Sequence, residues 1–167
     1  IINKVQYSKN SYVYAIINKN DEVRKESSSG GFFSVVAEYV LDQKGIVFGA
    51  AYNDKYEVEH IGIESKNDIY MLRGAKYVQS NLENTFQFVK KELLKKRIVL
   101  FSGTGCQVSG LKKYLQKEYD NLICMDLVCH GVPSPKIWKK YVENRTRIDN
   151  EEKLPKRVNM RSKETGW

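Results

Sequence analysis

Two matching stretches constrain this chain more than any other feature: Arg97-Ile-Val-Leu-Phe-Ser-Gly-Thr-Gly-Cys106 and Asn121-Leu-Ile-Cys-Met-Asp-Leu-Val-Cys-His-Gly-Val-Pro133. Each is a short apolar run that ends in a glycine-containing turn presenting a cysteine. Between them Val108, Leu111 and Leu115 recur at helical spacing with lysines on the other side. Strand, turn, helix and strand make a βαβ unit, whose crossover is right-handed in nearly all proteins. The pattern therefore predicts Ile98–Ser102 and Leu122–Val128 as parallel strands. Both turns then lie at one carboxyl edge, where open α/β sheets bind ligands, and Cys106 and Cys129 emerge side by side.

Length and composition narrow the class. The chain has 167 residues, 41% of them hydrophobic and 29% charged, as expected for one globular domain with a core. No apolar run approaches the roughly 20 residues needed to span a bilayer. The first residue is Ile1 and the last two are Gly166-Trp167, which reads as a piece of a longer protein. Three cysteines do not form a secreted disulfide framework, so the expected location is the cytoplasm. The formal charge of +8 fits either solvated helix faces or an anionic partner. No nucleic-acid-binding signature accompanies it, and most of the lysines sit opposite apolar stripes.

The chain in order predicts a strand at Tyr12–Ile17, a charged loop from Asn18 to Glu26, and a helix after Ser27-Ser-Ser-Gly-Gly31. Those glycines and serines are either a plain helix start or a set of bare amides facing a phosphate. Ile46–Tyr52 and Tyr56–Glu64 flank Asn53-Asp-Lys55 as a hairpin. His60 reads as a residue on the face of its strand. Asn67–Arg73 forms a short helix closed by Gly74, and Ser80 with Glu83 forms a capping box for the helix that carries Leu82, Phe86, Val89 and Leu93. Arg73 and Lys76 are solvated charges or partners of a pyrophosphate, with Tyr77 placed to stack on a ring. Pro133-Ser134-Pro135 supplies an N-cap and a first-turn proline for a last helix. Val158, Met160 and Gly166-Trp167 begin another ordered element. The fold class is thus α/β: a mixed sheet with a parallel βαβ core and flanking helices, plus an N-terminal strand and a hairpin.

Cys124 sits within an apolar strand and reads as a small buried hydrophobe. Cys106 and Cys129 lie in turns beside helix N-termini, which lowers a thiol's pKa. Nucleophile with His130 as base, redox disulfide, metal ligand and partly buried thiol all remain open for them.

Several blocks taken together resemble the coenzyme F420 hydrogenase/dehydrogenase beta-subunit family. They are Ser28-Ser-Gly-Gly-Phe-Phe-Ser34, Gly45-Ile-Val-Phe-Gly-Ala50, Arg73-Gly-Ala-Lys-Tyr-Val-Gln-Ser80, Leu100-Phe-Ser-Gly-Thr-Gly-Cys-Gln107, Asp126-Leu-Val-Cys-His-Gly-Val-Pro-Ser-Pro135 and Arg161-Ser-Lys-Glu-Thr-Gly-Trp167. The resemblance implies an oxidoreductase, an iron–sulfur flavoprotein in which FAD exchanges a hydride with coenzyme F420 or another small-molecule acceptor and passes electrons to 4Fe-4S clusters. It implies cofactor contacts at Ser29, Gly30, Gly31, Lys76, Tyr77, Gln79, Ser80, Gly103 and Thr104, and cluster ligation by Cys106 and Cys129. The remaining ligands would lie downstream, and the partner would be a ferredoxin-like domain or electron-transfer subunit. It divides the chain into a flavin-binding domain at 1–147 and the start of a C-terminal extension at 148–167. Gly105 stands where the family usually carries Pro, and Ala75 where Ser is usual. A non-catalytic electron-relay or interaction module keeping this fold is the alternative. No catalytic residue, nucleic acid or membrane span is implied.

Overall fold

A computed structural model describes residues 12–148 and 158–163. A four-stranded mixed sheet in the order β2-β1-β3-β4 carries the architecture: β1 is Ile46–Tyr52, β2 Val58–Ile63, β3 Val99–Thr104 and β4 Leu122–Leu127. β1 and β2 form the predicted antiparallel hairpin, while β1 with β3 and β3 with β4 run parallel. The helices are α1 (Asp21–Lys25), α2 (Phe32–Asp42), α3 (Ile69–Leu72, after a 3-10 turn at Lys66–Asp68), α4 (Thr85–Leu94), α5 (Gly105–Leu115) and α6 (Pro135–Ile148).

Period-two alternation decides the layers. Val47, Ala51 and Leu100 face one side and pack with Ala37, Val40 and Leu41 of α2 and with Ile69 and Leu72 of α3. Ile46, Phe48, Val99 and Phe101 face the other and pack with Val89 and Leu93 of α4 and Val108, Leu111 and Leu115 of α5. The inner strands β1 and β3 are therefore apolar on both faces, as parallel strands covered by helices must be. β4 follows the predicted βαβ connection and pairs with β3 from Val99↔Leu122 to Thr104↔Leu127.

Three local expectations fail. Tyr12–Ile17 is not a strand: among the described residues it has no ladder partner, and Val13 is 95% exposed. β-branched and aromatic residues favour a pleated surface only where a neighbour packs against them. The loop predicted for 18–26 contains α1, because the Asn20 side chain caps it by accepting from the amides of Glu22 and Val23. Ser80 and Glu83 do not cap α4, whose N-cap is Asn84, with Glu83 held at a left-handed φ of 36°. The first-turn proline of α6 is as predicted, with Ser134 Oγ accepting from the Ile137 amide. The segment 158–163 forms no helix or strand, and Gly166-Trp167 lies outside the described residues.

Candidate functional site

An open cavity of about 960 Å³ lies between the α1–α2 turn, the end of β1, the loop after α3 and the segment 158–163. Ser27, Ser28, Tyr52, Arg73, Lys76 and Arg161 are among the residues that line it. Just after α3, Gly74, at a φ of 82°, turns the chain where a Cβ-bearing residue would be strained. Arg73 Nε donates to Ser34 Oγ at 2.9 Å and so ties this loop to the first turn of α2. Lys76 then enters the wall of the cavity. Its ammonium donates to the Arg73 carbonyl at 2.9 Å and lies 5.7 Å from the centre of the Tyr52 ring. Burial pushes the Lys76 pKa down to about 8. Beside it the Tyr52 hydroxyl is buried with no hydrogen-bond partner among the described residues, and burial pushes that pKa up to about 12. On the far wall Lys163 Nζ donates to the carbonyls of Arg24 and Ser29.

Of the residues expected at a cofactor, Lys76 lines this cavity. Ser29 lies one residue beyond the lining serines and offers its carbonyl to Lys163. Gly31 is the N-cap of α2, at a φ of 81° and with no side-chain cap, so the first amides of α2 have no side-chain partner there. Gly30 is a glycine for a reason internal to the chain: a Cβ there would collide with the Ile16 carbonyl oxygen. The Tyr77 amide donates to Met160 Sδ at 3.0 Å, tying this loop to the segment 158–163.

The other expected residues gather at the carboxyl edge of the sheet. Thr104 and Leu127 are register partners, and each thiol follows two residues later, Cys106 in the first turn of α5 and Cys129 in the loop after β4. Both are exposed free thiols, whereas Cys124 is half-buried in β4. Burial raises the Cys124 pKa, so it stays a neutral thiol. The Cys106 sulfur lies 3.1 Å from Thr104 Oγ1. Gly103 lies under the Gln107 side chain, where an added Cβ would meet Gln107 Oε1 at 2.9 Å.

Around this turn runs a line of hydrogen bonds whose directions are fixed by chemistry. Gln107 Oε1 accepts from the Thr104 amide at 2.9 Å, so its Nε2 is the group that donates to Ser80 Oγ at 2.8 Å. Ser80 must then give its one proton to His60 Nδ1, at 2.9 Å. His60 Nε2 carries the ring proton, since it meets the Ser102 carbonyl at 3.0 Å. Burial lowers the His60 pKa against the smaller opposing effect of that carbonyl, in keeping with a neutral ring. His60, a strand-face residue in the sequence, is thus buried at the centre of a network, and Gln107 was not singled out. The signal for Gln107 was present as Thr104-x-x-Gln107, a capping-box pattern at the start of α5.

The residues suit an anionic dinucleotide at the cavity and do not suit a complete cubane at the rim. Among the described residues, a half-buried cation without a carboxylate partner and a buried hydroxyl without a hydrogen-bond partner are groups that a polar ligand would satisfy. A cubane takes four thiolates, whereas no group of three or more potential ligands converges among the described residues.

Residues 96–160 match the family model that describes the C-terminal part of the beta subunit in coenzyme F420 hydrogenase/dehydrogenase. Among solved structures the chain is similar to one from the xenon-derivatised F420-reducing NiFe hydrogenase complex of Methanosarcina barkeri. The TM-score is 0.61 at 18% sequence identity, over 78% of this chain and 48% of that one. This chain spans about half the length of that neighbour, and at such identity the likeness is one of fold. No curated protein matches the sequence.

Proposed function

We propose, for a chain that belongs through its residues 96–160 to the coenzyme F420 hydrogenase/dehydrogenase beta-subunit family, that it is a flavin-binding electron-transfer domain of a larger oxidoreductase. The observation that carries this reading is the cavity of about 960 Å³ with Lys76 half-buried in its wall and carrying no ion-pair partner among the described residues. An ammonium withdrawn from water without a counter-ion is costly until an anion arrives, so the site is built for a negatively charged ligand. FAD meets the size and the charge: its diphosphate would lie between Lys76 and the start of α2, where the helix dipole adds about 0.3–1 kcal/mol.

When bound, FAD supplies hydride exchange and one-electron transfer. The chain's own residues hold and orient it. Lys76 neutralises the diphosphate, Arg73 keeps the loop against α2, and the Tyr52 hydroxyl stays protonated and is available as a donor. F420 or another small-molecule acceptor would face the same cleft, and an iron–sulfur partner would take single electrons at the rim that bears Cys106 and Cys129. That location also suits a soluble partner protein in the cytoplasm.

Titration of flavin-free protein with FAD and with riboflavin tests this. FAD should bind with a shifted absorbance band near about 450 nm, and riboflavin, which lacks the phosphates, should bind at least about tenfold more weakly. Lys76→Ala should cost FAD about tenfold to a hundredfold, the worth of one charge-assisted contact. Absence of FAD binding in the wild-type protein would instead favour a relay or interaction module that kept the fold.

A further inference from the structure

The segment Lys76–Ser80 touches three places that are far apart in sequence. Lys76 is in the cavity wall, the Gln79 amide donates to the Pro133 carbonyl at 3.3 Å, and Ser80 Oγ accepts from Gln107 at 2.8 Å. Pro133 belongs to the turn that presents Cys129, and Gln107 to the turn that presents Cys106. We propose that Lys76–Ser80 is a positioning strap that sets the geometry of both thiol-bearing turns, Ser80 acting on Cys106 and Gln79 on Cys129.

The body of the sheet anchors the strap. Immediately after it, the Asn81 amide donates to Val58 O and the His60 amide to Asn81 O, so that Asn81 runs parallel to Glu59 on the outer side of β2. His60 then fixes Ser80 from beneath and is itself held by the Ser102 carbonyl. With the His60 ring neutral and protonated at Nε2, the bonds from Gln107 to Ser102 run in one consistent direction, so losing the Ser80 hydroxyl breaks the line at its middle. At the far end Thr104 Oγ1 touches the Cys106 sulfur, and the Gly131 amide points at the Cys129 sulfur at 3.3 Å. The strap acts on geometry alone, whatever ligand occupies the cavity.

Maleimide modification followed by residue-resolved mass spectrometry gives a separate rate for each thiol. In Ser80→Ala the Cys106 rate should rise about threefold to tenfold, the range one neutral hydrogen bond supports, because the loosened turn frees the sulfur from Thr104. Cys129, held through Gln79, should keep its wild-type rate, and Ser80→Thr, which retains the hydroxyl, should restore Cys106. An unchanged Cys106 rate in Ser80→Ala, or an equal rise at both cysteines, overturns the proposal. Two measurements on the wild-type protein need no variant. The His60 ring nitrogens should show the neutral form protonated at Nε2, and the Gln79 amide should be protected from hydrogen exchange. A ring protonated at Nδ1 removes the Cys106 arm, and a fast-exchanging Gln79 amide removes the Cys129 arm.

Discussion

Lys76 carries a charge out of water and, among the described residues, meets the backbone carbonyls of Arg73 at 2.9 Å and Gly74 at 3.4 Å and the face of the Tyr52 ring. Its pKa falls from 10.5 to about 8 because burial penalises the charged form. Between those two values the unfolded chain holds a proton that the folded chain has released. Stability therefore rises with pH across that window, and below about pH 8 the folded protein bears the whole cost. Lys76→Met should flatten this slope in melting temperatures measured on both sides of the window. Anion binding runs the other way, since only the ammonium attracts it. FAD affinity should hold steady below about pH 8 and then fall by no more than about tenfold per pH unit, and the fall should vanish in Lys76→Met. A second residue whose role changes on seeing the structure is Gly30. A side chain there meets the Ile16 carbonyl before it meets any ligand, so Gly30→Ala should lower the melting temperature even in flavin-free protein. The sequence left Lys76 as either a solvated charge or a phosphate partner, and the glycines as either a plain helix start or a phosphate cradle. It could not show that Ser80 bonds His60 and Gln107, since the Ser-x-x-Glu spacing of Ser80 and Glu83 fits a cap as well as the true pattern at Thr104 and Gln107 does.

At the scale of elements, the strands β1 and β3 and the helix between β3 and β4 were legible because their signals are local and redundant. Apolar runs of strand length, a glycine turn and an i, i+3, i+7 stripe all point to one connection. Leu111 is fully buried against the sheet, and Leu111→Ala should cost about 2–5 kcal/mol in denaturant unfolding, since a cavity adds to the lost burial. Less legible was the polar lock at the foot of the sheet. Arg97 donates to Glu92 and Glu64 and to the carbonyls of Lys44 and Gly45, joining α4, β2 and the end of α2 to the start of β3. Glu92 is buried, and hydrogen bonding from Lys95 and then Arg97 holds its pKa below the usual carboxylate range against the opposing cost of burial. Arg97→Met should destabilise by about 1–3 kcal/mol, and more than Lys95→Met does, because it strands several acceptors at once. Tyr12–Ile17 misled for the opposite reason. Its composition is that of a strand, but among the described residues no strand pairs with it.

On the scale of the whole molecule, the thiols and the cavity are joined by contacts between residues as far apart as His60 and Ser102, which no local pattern encodes. The parallel register delivers Cys106 and Cys129 to one rim, as the βαβ pattern requires, and leaves each of them exposed. Cys124 does not join them: it sits within β4, and its thiol is held neutral by burial. Two thiolates leave a cubane cluster two ligands short, so the family's iron–sulfur chemistry at this rim would need donors from another polypeptide or another part of a longer protein. Anaerobic reconstitution of this 167-residue chain with iron and sulfide should therefore give iron well below about four per chain, and what little binds should disappear in the Cys106→Ser, Cys129→Ser double variant. A full complement of iron that survives both substitutions would remove these thiols from the electron path. About two irons per chain, bound only while both cysteines are present, would mean that two copies of the rim can close around one four-iron cluster, which sedimentation of the reconstituted protein would show as a dimer.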